Sequence, residues 1–371
     1  MKKFIQVTLL IALAVALAVT VAACGGSSKK SSSGGNGGGS SGGGGGSIQV
    51  CVLLPDTTSS VRYELYDRPF LAAAFKAANI KYSILNALGD AQKQRSQGDQ
   101  CLTNGAKVVM VDALDSGTGA AIEKAVADKG AKSIDYDRLV LNGKADYYVS
   151  YDNVVVGKTM ADGLVAALKA NGKYNQKPVV SELNGGITDN NATLFKQGYD
   201  SVLKPLYANG TFVKAKSGDQ WTDWDAQKGA TIFEQMLAAN SNKIDASIAA
   251  NDNLAGAVVS VLKSHKLKPI PLTGQDATPQ GIQNILAGWQ SGTVYKDVKA
   301  EADAASKIAI NIIKGQPVKT NAKADNKTRM VPSVYLTPTW ITKKNYTMLF
   351  DNGFLKKSDV CKGVYKKYCT Q

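Results

Sequence analysis

From Ile48 onward the chain alternates short β-rich runs with helical segments of about 10 to 17 residues, and it does so to its end. Runs such as QVCVLL, KVVMV, YYVSY, PVVSEL, DASIAA and TVYK are separated by EKAVADK, GKTMADGLVAALKA and ASKIAINIIK. Strand, helix and strand in such repetition predict an α/β fold with parallel sheets. The strands are continuously apolar, as required when helices cover both faces of a sheet. About 320 residues in this pattern make one large sheet or two lobes. In such sheets ligands lie beyond the carboxyl ends of the strands, so function is sought in the residues that follow each strand.

The segment before Ile48 places this body outside the cytoplasmic membrane. Lys2 and Lys3 precede an apolar run over 7–23, which stops at Val21-Ala22-Ala23-Cys24; this is the layout of a secretory signal. Those last four residues resemble the lipobox of bacterial lipoproteins. The resemblance implies that 1–23 is a signal peptide and that Cys24 carries the lipid that anchors the protein to the cell membrane. The alternative is a retained anchor, because an apolar run over 7–23 lies at the lower edge of a membrane span. Residues 25–47 hold 12 Gly, 8 Ser, 2 Lys and 1 Asn, so 24–47 reads as a tether with an r.m.s. reach of roughly 25–30 Å.

The net charge is +14, but Lys2, Lys3, Lys29 and Lys30 all precede residue 48, where there are no acids. Lysines in the body are scattered except near the C-terminus, and no Arg-rich helix appears. A solvated cationic surface beside an anionic membrane accounts for this charge, and no nucleic-acid partner is expected. A single histidine, His265, excludes zinc chelated by several imidazoles. Gly185-Gly186 follows a strand without completing a phosphate-loop motif. Neither metal nor cofactor is expected. Four cysteines in an exported body predict two disulfides. Cys361 and Cys369 are close enough for a local clip on the tail. Cys51 lies in the first strand and Cys101 near the end of the second helix, which in a doubly wound sheet crosses over that strand. Unpaired buried thiols remain the alternative.

Acids, amides, cations and aromatics recur at the strand ends: Asp56, Arg62 and Tyr63; Asp137-Arg138; Asp189 to Asn191; Trp221 to Trp224; Asn251-Asp252; Gln275-Asp276; and Tyr295-Lys296. A neutral polyol needs this mixture, because each hydroxyl donates and accepts, while a flat aromatic covers the C–H face of a sugar ring.

In YDR (136–138), YVSYDN (148–153), DNNATLFKQG (189–198), GDQWTDWD (218–225), NKIDASIAANDN (242–253), TGQDATPQGI (273–282), TVYK (293–296) and VPSVYLTP (331–338) the chain closely resembles the periplasmic sugar-binding proteins of bacterial ABC transporters. The likeness is to the ribose-type family and, within it, to the xylose-binding members. It implies the type I periplasmic binding protein fold: two Rossmann-like lobes on a three-strand hinge, with a sugar between them. The expected lobes are 48–152 plus 297–331 and 153–296 plus 332–371. Carried over by position, Asp137 and Arg138 resemble the family's sugar-holding pair, and Asn191 with Asp189 the polar ligand at the start of a second-lobe helix. Asn251, Asp276 and Lys296 match polar ligands, and Trp224 the stacking aromatic. Arg62-Tyr63 stands where the family has an arginine-tryptophan pair, so Tyr63 departs from the pattern. Each position also has a structural alternative: an ion pair for Asp137-Arg138, helix caps for Asn251 and Asp276, core packing for the tryptophans.

The leading expectation is a non-catalytic, monomeric receptor that captures a monosaccharide, D-xylose or a related aldose, and delivers it to an ABC permease. A sensing lipoprotein that presents ligand to a membrane receptor is a second reading. A glycosidase needs two carboxylates, one with a raised pKa, whereas the strand-end acids here come with Arg, Lys and amides. A DNA-binding repressor shares the fold type, but here a secretion signal replaces the helix-turn-helix.

Overall fold

The computed structural model describes residues 47–369. The expected signal peptide, the lipidation site Cys24 and all of the expected tether except Ser47 lie outside the described residues. Among the described residues no helix is long and apolar enough to cross a membrane.

The first half repeats strand and helix: β1 (Val50–Leu54), α1 (Arg68–Ala77), β2 (Tyr82–Asn86), α2 (Ala91–Thr103), β3 (Val108–Val111), α3 (Ser116–Asp128), β4 (Lys132–Tyr136) and β5 (Tyr147–Tyr151). The pattern continues through α4 (Asn153–Ala170), β6 (Val179–Asn184), α5 (Asn190–Ala208), β7 (Val213–Trp221), α6 (Ala226–Ala239), β8 (Ala246–Ala249), α7 (Asp252–Ser264), α8 (Pro279–Leu286) and β9 (Thr293–Tyr295). It ends with α9 (Val298–Ile313), β10 (Ala322–Asp325), β11 (Met330–Leu336) and β12 (Thr339–Ile341), followed by a short helical tail.

The first sheet runs β10-β11-β5-β4-β3-β1-β2 and is parallel except for its β10 edge. The second has β7-β6-β8, all parallel. Bridges from Ser247 to Leu272 and from Gln275 to Val294 continue it towards the antiparallel pair β9-β12. β1 is buried at all five positions, which explains its unbroken apolar run. Val50, Val52 and Leu54 pack with α1 and α9 residues in one core, while Cys51 and Leu53 face another that includes Cys101. The Cys51–Cys101 bridge closes across that second face (Cα–Cα 5.9 Å), and Cys361–Cys369 closes the tail (5.8 Å).

Three chain crossings join the sheets, at Tyr151–Asn153, at Tyr295–Val298 and after Leu336. The third falls later than expected. β11 runs through Pro332 and pairs with β5 from Ser333↔Tyr148 to Leu336↔Tyr151. Pro332 lies opposite Lys323 of the β10 edge, one residue before the pairing with β5 begins. The expected 331/332 boundary therefore lies inside a strand of the first sheet, and the crossing is at Thr337-Pro338.

Candidate sugar site

The polar residues after the strands begin as local structure. The side chains of Asp189, Asn251 and Thr278 accept from first-turn backbone N–H groups of α5, α7 and α8 respectively. These caps hold the helix N-termini against the strand ends, and the two sheets turn those ends towards one another. All ten sequence-derived positions, Arg62, Tyr63, Asp137, Arg138, Asp189, Asn191, Trp224, Asn251, Asp276 and Lys296, line one narrow cavity.

Arg62 sits just before a single π-turn, Tyr63–Asp67. Four of its five guanidinium N–H groups are engaged: Nε and Nη2 donate to Asp67 (2.9 and 2.8 Å), Nη2 also to Glu301 (2.8 Å), and Nη1 to Asp137 (3.2 Å). Asp67, buried and also bonded by the Tyr136 hydroxyl, fixes this arginine from behind. The Tyr63 ring lies near two guanidinium carbons, Arg62 at 5.6 Å and Arg138 at 5.8 Å from its centroid. The Tyr63 hydroxyl accepts from Arg138 at 3.1 Å.

Asp137 is at the centre, in the left-handed region with φ +60°. Its carboxylate accepts from Lys296 Nζ at 2.8 Å and Arg62 at 3.2 Å. Its carbonyl accepts from Tyr148, Ser150 and Asn191 (3.1, 2.8 and 2.9 Å). Burial alone would raise this carboxyl, but Lys296 and Arg62 outweigh it and hold it well below the usual carboxylate range. Lys296 is raised in turn, because Asp137 overcomes the burial that would discharge it. Arg138 reaches Asp189 at 3.3 Å and Asp112 at 3.4 Å, and Asp189 also accepts from Trp224 Nε1 at 3.1 Å.

The two halves are bridged directly. Ser60 donates to Asp276 (3.1 Å), Asn251 Nδ2 to the Ser59 carbonyl (3.0 Å) and Asn191 to the Asp137 carbonyl (2.9 Å). Asn251 thus caps α7 with its oxygen and spans the cleft with its nitrogen. Asp276 is not a cap; Thr278 has that role for α8. Trp221, at the end of β7, is absent from the cavity lining, whereas Trp224 packs edge-on to Phe195 at 6.4 Å between centroids.

Four lining residues were not among the expected ligands: Ser59, Ser60, Phe195 and Gln275. Phe195 is four residues after Asn191 on α5, hence on the same helix face. Gln275, in an isolated bridge to Val294, precedes Asp276. The serines follow β1 in a TTSS run with no signal beyond its position.

Residues 50–317 match the family described as periplasmic binding protein domain. The chain is 33% identical over 297 residues to the D-xylose-binding periplasmic protein of Escherichia coli, covering 79% of this chain and 87% of that one. It is 35% identical over 292 residues to the multiple sugar-binding periplasmic receptor of Rhizobium radiobacter, covering 74% and 81%. A carbohydrate transporter solute-binding protein from Chloroflexus aurantiacus, solved in complex with D-glucose, superposes with a TM-score of 0.78 at 28% identity, covering 84% of this chain and 98% of that one.

Proposed function

Because this chain belongs to the periplasmic sugar-binding protein family, whose members are solute receptors and not enzymes, we propose that it captures a monosaccharide in the cavity between its two sheets and delivers it to an ABC permease. D-xylose or a related aldose is the preferred ligand. The observation that carries this is the make-up of the cavity. Three cations (Arg62, Arg138, Lys296) and three acids (Asp137, Asp189, Asp276) alternate with amides around Trp224 and Phe195. Ion-paired groups keep their remaining lone pairs and N–H bonds for hydroxyls, and a neutral ligand leaves the balance of charge unchanged. The aromatics cover the face of a ring.

In this reading the lobes are those joined by the three crossings, and Cys24 carries the lipid that holds the receptor outside the cytoplasmic membrane. The test is a thermal-shift screen of the purified protein against pentoses and hexoses. A ligand that binds only the folded state adds about 2.7 kcal/mol at a hundredfold excess over Kd. A protein whose midpoint moves with no sugar of the panel is not a receptor for them.

A further inference from the structure

Asp252 is 1% exposed, lines no part of the cavity, and directly follows the Asn251 that does. Both of its carboxylate oxygens are engaged: Oδ1 accepts from Gln290 Nε2 at 2.8 Å, and Oδ2 accepts from the Thr278 N–H at 2.8 Å and the Thr278 hydroxyl at 3.2 Å. Its own N–H donates to the Gln275 carbonyl at 3.0 Å. One residue therefore grips the 275–278 segment on both sides of Asp276.

That segment needs gripping. Asp276 and Ala277 have φ of +93° and +50°, two consecutive residues with side chains in a region such residues avoid. The carboxyl of Asp276 takes a hydrogen bond from Ser60 of the opposite sheet's loop, so its placement depends on this backbone path. Space is reserved for the Asp252 carboxylate as well. A Cβ on Gly274 would collide with Oδ1 and one on Gly281 with Oδ2.

We propose that Asp252 is a positioning residue of the sugar site: its buried carboxylate holds the 275–278 segment in the left-handed path that presents Asp276 to the ligand. The inference rests on the receptor reading above and assigns to Asp252 a role distinct from that of its neighbour Asn251. Thr278 acts as the relay, since its hydroxyl donates to Asp252 while accepting from the Gly281 N–H at the start of α8. Without the carboxylate three donors lose their acceptor, and the segment relaxes to an ordinary conformation with Asp276 withdrawn from the cleft.

The experiment is a double-mutant cycle on the full-length protein, read by titration calorimetry with the best-bound sugar of a panel that includes D-xylose and D-glucose. Circular dichroism checks each variant's fold. D252A and D276A should each weaken binding at least tenfold, and D252A/D276A should bind within twofold of D276A, because a positioning residue has nothing left to position. D252N keeps the shape with a single acceptor, so it should lose about threefold and bind more tightly than D252A. Affinity of D252A within twofold of wild type, or losses that multiply in the double variant, overturns the proposal. If D252A does not fold, D252N decides: no loss, or the same loss with and without Asp276, overturns it equally. A D276A loss without a D252 loss removes this proposal alone, whereas a wild-type protein that binds no sugar removes the receptor reading with it.

Discussion

Gly185→Ala tests whether Trp224 is a cleft surface held in place by its neighbours. The indole lies over the Gly185-Gly186 backbone. A Cβ on Gly185 would overlap Cζ2 and Cη2 and come within 2.5 Å of Cε2, and one on Gly186 would stand 3.0 Å from Cδ1. The glycine pair is thus a seat for the tryptophan. To move Cζ2 from 2.2 Å to an ordinary van der Waals separation of at least 3.4 Å the indole must retreat by more than 1 Å. Its Nε1–Asp189 hydrogen bond, at 3.1 Å, then lengthens beyond bonding distance. A hydrogen bond to a charged group is worth about 1.5–3 kcal/mol, so sugar affinity should fall roughly ten- to hundredfold. Arg138, which shares Asp189, loses part of its orientation in the same step. Calorimetry on the folded variant measures the loss, with Gly256→Ala as control, since a Cβ there meets nothing within 4 Å. Wild-type affinity in Gly185→Ala would mean that the ligand does not use the Trp224 face.

Three further outcomes follow from other parts of the molecule. Burial pushes the Asp252 carboxyl up to about 7, with Gln290 and Thr278 opposing and Asp276 adding to it; a raised carboxyl stabilises fully below its unfolded pKa near 4 and loses that contribution as pH rises through about 7, so D252N should gain stability over wild type across pH 4–8, by up to about 4 kcal/mol, and urea melts that keep a constant difference refute this. Cys51–Cys101 closes a separation of 50 residues and Cys361–Cys369 one of 8; replacing both cysteines of the first pair by alanine should cost about 4 kcal/mol and of the second about 2.5, measured by the same melts, and equal costs would contradict a loop-entropy origin. Saturating sugar should reduce the radius of gyration in small-angle scattering, because a ligand that touches both halves favours the closed form; an unchanged radius counts against hinge closure.

Much of the architecture was legible because α/β order writes itself into the chain. Strands buried on both faces leave unbroken apolar runs, as in VCVLL, and helices between them show their own period. The third crossing lies later than the 331/332 boundary that came with the family likeness, because β11 keeps its pairing with β5 as far as Leu336, and that pairing is a tertiary contact. The same contrast holds in the cavity. Polar residues directly after strands were identifiable by position, and ten of them meet at one cavity. Phe195 was overlooked because an aromatic inside a helix reads as core; its direction becomes visible only once α5 is anchored by Asp189. Asp67 and Glu301 act through Arg62 and not on the cavity itself. Asp67 reaches it locally, across the π-turn, whereas Glu301 is 239 residues away and only tertiary folding brings it to the same guanidinium.

The structural and functional readings of the strand-end residues prove compatible, and the reason is geometric. A side chain such as Asn251 has two polar ends: Oδ1 is spent on the Leu254 N–H of α7, and Nδ2 is left pointing across the cleft to Ser59. Asp189 divides its oxygens in the same way, one to the Asn191 N–H, the other to Trp224. Capping fixes the rotamer, so the end that faces the cleft is held in place before a ligand arrives and less entropy is lost on binding. The ion pairs extend the same logic. Arg62 with Asp67 and Glu301 behind it, and Asp137 between Arg62 and Lys296, are fixed by partners that are themselves buried. Such a cleft presents a rigid, neutral set of donors and acceptors. Its selectivity then depends on which hydroxyl leaves a buried group unpaired, because an unmet charged partner costs more than a missing apolar contact.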